Sequence, residues 1–234
     1  DTSADARGNA SADMIIDPML VPVWLTLAAA VVMFTGVALA AFRAPWRALI
    51  SVPERQHLLF GGLFAVLMLW WLSIEVAEGA WFHLLGVTTL TLMVGWRFTL
   101  LGGAVVTTAH LLLLGLSLAA LPVAWFFSVA LPATGSRLLV HLLRRHGFRN
   151  PYMFLLGAGF GGGIASVLLI ALAAMPFLWL IDQQAWLNEA IDNAPLLVLI
   201  AFPEGFINGM LITAFTVMSP HLVKTFDDDY YLGD

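Results

Sequence analysis

The chain is expected to be an all-α, polytopic membrane protein: a bundle of about seven transmembrane helices, N-terminus outside and C-terminus in the cytoplasm. Three observations predict this class. Of its 234 residues, 61% are hydrophobic, and the mean hydropathy is +0.92. Only 11% are charged, against roughly 25% in a soluble domain. Apolar runs recur near the ~20-residue length of a spanning helix, with arginines in alternate connections between them.

Residues 1–17 open with DTSADARGNASADM, small and polar, and are expected to form a flexible tail. A first span is expected over Pro18–Phe42, where Pro22 is tolerated in the first turn because that N–H has no helical partner. Leu58 to about Ser73 supplies a second, extending toward Glu78. His83–Trp96 is apolar but short, and spans only if tilted or as a buried, partly irregular segment. Thr99–Leu121 is the fourth, and Pro122–Leu143 the fifth, interrupted by Pro132 and Gly135. Tyr152–Ile181 is the sixth and Ala194–Met218 the seventh. Residues 18–222 thus form one transmembrane domain, and 223–234 an acidic cytoplasmic tail.

Charge placement tests this count. Arg43, Arg47 and Arg55 lie between the first and second spans, and Arg97 between the third and fourth. Arg144, Arg145 and Arg149 lie between the fifth and sixth, and Lys224 follows the seventh. The intervening connections hold no Lys or Arg; Arg7 in the leading tail is the one basic residue on the outer side. Basic loops stay cytoplasmic. Removing the short third span would place Arg97 outside and break the alternation.

Ionisable groups at membrane depth are costly, about 2.5 kcal/mol upward per charge at a helix centre, and so point to function. The run SIEVAEGAWFHLLG places Glu75, Glu78 and His83 together at the outer end of the second and third spans. Glu75 and Glu78 are three apart, hence expected on one helix face, with His83 folding back past Gly79. Glu204 and Asn208, four apart in FPEGFING, share a face near the outer half of the seventh span. Neutral imidazole with carboxylate and amide oxygens is a donor set for a borderline divalent metal. His83, Glu75, Glu78, Glu204 and Asn208 are therefore the candidate metal ligands. His110 reads as a buried, mid-membrane histidine bonded to a neighbouring helix. Gly36 with Ala40, and the glycine run from Gly157 to Gly163, are small-residue signatures of close helix packing.

Several chemistries are excluded. With no cysteine there are no disulfides, thiolate metal sites or iron–sulfur clusters. LLGAGFGGGIAS lacks the Lys-Ser/Thr ending of a phosphate loop, and neither HExxH nor GxSxG occurs. No enzymatic activity, intrinsic cofactor or nucleic-acid partner is expected.

The segments RAPWRALISVPERQHLLFGG, FHLLGVTTLTLMVGW, LLGAGFGGG and FPEGFINGMLITAFTVMSPHLVKTFDDDYYL carry a resemblance from about Arg43 onward. The chain resembles the CbiM-like permeases of energy-coupling factor transporters, in their proteobacterial subgroup. That resemblance implies a helical bundle in the bacterial inner membrane that captures cobalt or nickel. It also implies partners: a transmembrane coupling subunit and cytoplasmic ATPases, with the Gly36/Ala40 face as one docking surface. The family binds its ion through an amino-terminal Met-His pair and histidines in a segment like HLPLGGTSVHL. FHLLGVTTLTL aligns with that segment, so His83 matches its first histidine while Thr91 stands at the second. The Met-His pair is replaced by the polar tail. A divalent-cation permease component is the expected function; the alternative is a non-transporting accessory subunit of a larger membrane complex.

Overall fold

The computed structural model describes residues 20–72, 74–77 and 80–232, of which 74–77 and 80–82 are described by backbone alone. Helix α1 (Val23–Arg43) is followed by a short α2 (Trp46–Ile50) and by α3 (Pro53–Trp71), which Pro53 starts at its first position. An antiparallel hairpin follows, β1 (Ile74–Ala77) on β2 (Ala80–Phe82), pairing Glu75 with Trp81. After an extended stretch come α4 (Val87–Val94) and α5 (Trp96–Leu113). Helices α6 (Leu121–Trp125) and α7 (Leu131–Arg145) are joined by a π-helical turn over Phe126–Ala130. A second π-helical stretch, Met153–Phe160, leads into α8 (Gly161–Leu180). The chain continues through α9 (Gln184–Asp192) and α10 (Leu196–Met218) to a final turn, α11 (Asp228–Tyr231).

Among the described residues, five helices are long and apolar enough to cross a membrane: Val23–Arg43, Trp96–Leu113, Leu118–Arg145, Met153–Leu180 and Leu196–Met218. Helix α3 is diluted by its polar opening, PERQH, and α4 has only 8 residues.

Neighbouring segments alternate in direction. Trp70 and Gly62 of α3 meet Leu85 and Leu90, so α3 runs against the segment leading into α4. Leu63 and Trp70 of α3 meet Gly102 and His110 of α5, which therefore runs with α3. Leu143 and Leu139 of α7 meet Gly157 and Gly162, an antiparallel pair. Between α8 and α10 the backbones themselves touch. A Cβ on Gly163 would lie 2.7 Å from Gly205 Cα and 2.9 Å from the Glu204 carbonyl oxygen. This is the contact the glycine run exists to allow, since without side chains dispersion contacts form directly between main chains.

Helix α4 occupies the middle of the bundle. Its residues Val87 to Met93 are all buried, and it packs on α3, α5, α7, α8 and α10. Gly86, at φ +64°, bends the chain into it, in a left-handed conformation that favours glycine; a Cβ there would lie 2.9 Å from Leu69.

Three expectations are corrected. The second span stops at Trp71, and the backbone at Glu75 is strand, so the shared helix face expected for Glu75 and Glu78 does not form; Glu78 lies outside the described residues. The third segment takes the second of its two expected forms, buried and partly irregular, helical only from Val87. The fourth ends at Leu113, because Gly115 at φ +69° stops the helix and Ser117 starts the next one, accepting from Ala119 N–H. The apolar composition of LLGLSLAAL hid that turn. The Gly36/Ala40 face turns inward: Ala40 is fully buried and Gly36 abuts Trp125, so it is filled within the chain. The irregularity near Pro132 is real but precedes it. A π-turn widens the helix just where the proline ring would clash with the preceding carbonyl.

Candidate functional site

Three aromatic rings converge where α3 ends, α5 ends and the chain leaves the hairpin. Trp70 lies 5.7 Å from His83 and 5.6 Å from His110, and the two imidazoles are 6.3 Å apart, centre to centre. All three side chains are buried. Because α5 ends at Leu113, His110 sits level with His83 and not at mid-membrane as its sequence position suggested.

The segment from His83 to Gly86 is held on both sides. Trp70 donates its indole N–H to the Leu85 carbonyl at 3.0 Å. From α10, Glu204 accepts from Leu85 N–H at 2.8 Å and from Gly86 N–H at 3.0 Å. One turn later Asn208 Oδ1 accepts from the Thr89 N–H at 2.8 Å and from its hydroxyl at 2.6 Å. Asn208 Nδ2 in turn donates to Glu204 Oε1 at 2.7 Å.

These bonds have a clear physical cause. Helix α4 starts in the protein interior, and the first N–H groups of any helix lack internal partners. Its cap residue, Gly86, has no side chain to serve them. Two side chains four apart on α10 do so instead, and a carboxylate at a helix N-terminus is electrostatically favoured. The pair expected on one face of α10 is therefore brought together, with its oxygens engaged by backbone donors of the His83 segment.

A second polar group lies deeper. Thr88 Oγ1 is 2.7 Å from Ser166 Oγ and accepts from Ser136 Oγ at 3.2 Å, tying α4 to α8 and α7. Thr91 is buried and donates to Val87 carbonyl at 2.8 Å, so its hydroxyl serves its own helix. Among the described residues no three His, Cys, Asp or Glu gather tightly enough to hold a metal ion.

The profile of the CbiM family, described as "Cobalt uptake substrate-specific transmembrane region", matches residues 15–222. The chain belongs to the CbiM family. Curated proteins and solved structures return no match. Membership makes this a multi-pass membrane component of cobalt uptake, and fits the five apolar helices. Within this CbiM-family chain, His83 lies two residues before the backbone that Trp70 and Glu204 hold at Leu85 and Gly86. Residue-by-residue reading missed Trp70 and the partnership with His110; the stop signal at Gly115 would have revealed the second of these.

Proposed function

We propose that this chain is the substrate-capturing permease of an energy-coupling factor transporter for a divalent cation such as cobalt or nickel, receiving the ion at His83 from the outer side. The observation that carries this reading is the double pinning of the His83 segment inside a cobalt-uptake fold. Glu204 and Asn208 act in it as positioning residues, fixing the backbone that presents the imidazole. Glu75 and Glu78 are kept in this reading as the oxygen ligands expected from the run SIEVAEGAWFHLLG. Energy comes from a separate coupling subunit and ATPases, in keeping with the missing phosphate loop.

Seven crossings with an outer N-terminus are part of this reading. The alternating helix directions support it, as does the gathering of Arg43, Arg47, Arg55, Arg97, Arg144, Arg145, Arg149 and Lys224 at one end. For the third crossing, α4 contributes about 12 Å at 1.5 Å per residue. The three residues before the Gly86 bend, His83–Leu85, add roughly 10 Å at ~3.3 Å each. Together they reach about 22 Å of the ~30 Å hydrocarbon thickness, so this crossing relies on the surrounding helices to shield its ends.

Purified chain titrated with cobalt or nickel tests the site. One ion per chain is expected, lost in His83→Ala with the fold intact. Affinity should decline as pH falls, because a ligating imidazole must be deprotonated. The second reading, a non-transporting accessory subunit, is favoured by the engagement of Glu204 and Asn208 in backbone bonds. Metal-free protein that copurifies tightly with a membrane neighbour would establish it.

A further inference from the structure

At the end of the bundle opposite His83, a cavity of about 290 Å³ opens between the start of α5, the last turns of α7 and the segment after α10. Arg97, Arg137, Arg144 and Lys224 line it, and no carboxylate does. None of the four lies within ion-pair distance, 4.0 Å, of a carboxylate among the described residues. Of the nearby acidic run Asp227–Asp229 none lines the cavity, and Asp227 caps α11 by accepting from Tyr230 N–H.

Two of the guanidinium groups are held in place. Arg137 stacks 4.6 Å above the Trp96 ring, whose indole N–H donates to Thr134 Oγ1 at 3.1 Å. Arg144 donates to the Thr225 carbonyl at 2.7 Å and lies 5.5 Å over Tyr230. Ordering long cationic side chains beside one another without an anion is unfavourable, and each is ordered by a neutral partner that leaves its charge uncompensated. The concentrated field attracts an anion with at least two acceptor oxygens. At ~30 Å³ per water, the cavity has room for about ten waters, enough for a phosphoglycerol group.

Depth selects the source of that anion. Arg137 is exposed yet lies within the apolar helix Leu118–Arg145. Seven residues separate it from Arg144, about 10 Å along the axis toward the bilayer centre. A soluble acidic segment would have to enter the headgroup layer to reach it, whereas a lipid phosphate already resides there. Leu138 and Leu142, on the helix that carries Arg137 and Arg144, and Trp46, next in the chain to the lining residue Pro45, are exposed apolar side chains suited to acyl chains. We infer that this cavity is a headgroup site for an anionic phospholipid, its phosphodiester clasped by Arg137 and Arg144 and its further charge met by Arg97 and Lys224. The inference is independent of which cation is transported, or whether any is.

Native mass spectrometry of the full chain in detergent, with phosphatidylglycerol, phosphatidylcholine, inorganic phosphate and a glutamate-rich peptide as separate probes, tests it. One phosphatidylglycerol per chain should be retained, and phosphatidylcholine lost. Arg97→Gln/Arg137→Gln, both at exposed positions, should weaken retention tenfold or more, and Arg137→Gln/Arg144→Gln at least as much. Arg43→Gln/Arg47→Gln, at the same basic end but outside the cavity, should leave it unchanged. Equal retention of both lipids, or equal loss in the Arg43/Arg47 variant, would overturn the proposal. So would inorganic phosphate, or a glutamate-rich peptide, occupying the cavity in place of the lipid.

Discussion

Replacing Glu204 with alanine separates support from ligation. The substitution leaves the Leu85 and Gly86 N–H groups without an acceptor, in the interior, and removes one of two acceptors of the Asn208 amide. At about 1–3 kcal/mol for each buried donor left unsatisfied, the His83 segment should lose about 2–6 kcal/mol of local stability. Each 1.4 kcal/mol is a tenfold change, so amide exchange over residues 84–90 should accelerate by roughly 30-fold or more. Glu204→Gln keeps one carbonyl acceptor but turns the other oxygen into a donor facing a donor, so its effect should be intermediate. Hydrogen–deuterium exchange of the detergent-solubilised chain reads this directly. Unchanged protection in Glu204→Ala, together with loss of bound cobalt, would refute the positioning role and make the carboxylate a ligand.

Other outcomes follow from the same geometry. Gly163→Ala forces a methyl against the α10 main chain and should cost about 1–3 kcal/mol. The melting temperature would fall by roughly 2–4 °C per kcal/mol in a chain of this size; an unchanged melt would mean that the helices separate freely. The cysteine-free background allows topology to be read by labelling. Asn188→Cys on the exposed face of α9 should react with an impermeant reagent in intact cells and Phe148→Cys should not; the reverse pattern would invert the orientation. Burial between Phe154 and Phe226 pushes the Tyr231 phenol above its ordinary 10. The neutral ring is the folded form, so tail docking should be intact below pH 10 and weaken as pH rises through the raised value. Proteolysis of the tail across that range would show this, and a pH-independent rate would contradict it.

The bundle was legible because hydrocarbon length and arginine placement are physical constraints that composition alone exposes. Its interruptions were harder. Hydropathy does not distinguish an apolar turn from an apolar helix, so LLGLSLAAL extended the fourth span past Leu113 and moved His110 away from His83. At Glu75, helical spacing was extrapolated past Leu72, into residues that pair as strand. Glu204 and Asn208 were correctly placed on one face. What they bind could not be read, because their partners lie about 120 residues earlier in the chain and are main-chain atoms, invisible to any pattern of side chains.

After α10 the chain turns back and finishes α4. Lys224 and Thr225 donate their N–H groups to the Met93 and Leu92 carbonyls, and the Thr225 hydroxyl adds a second bond to Leu92. During synthesis, then, the half-length helix emerges from the ribosome more than a hundred residues before the strap that closes its lower rim. Until that strap arrives, its last carbonyls have only lipid or stray water to face. Nascent chains arrested before residue 223 should therefore keep the Leu92 and Met93 carbonyls without these partners, however well their outer helices have inserted.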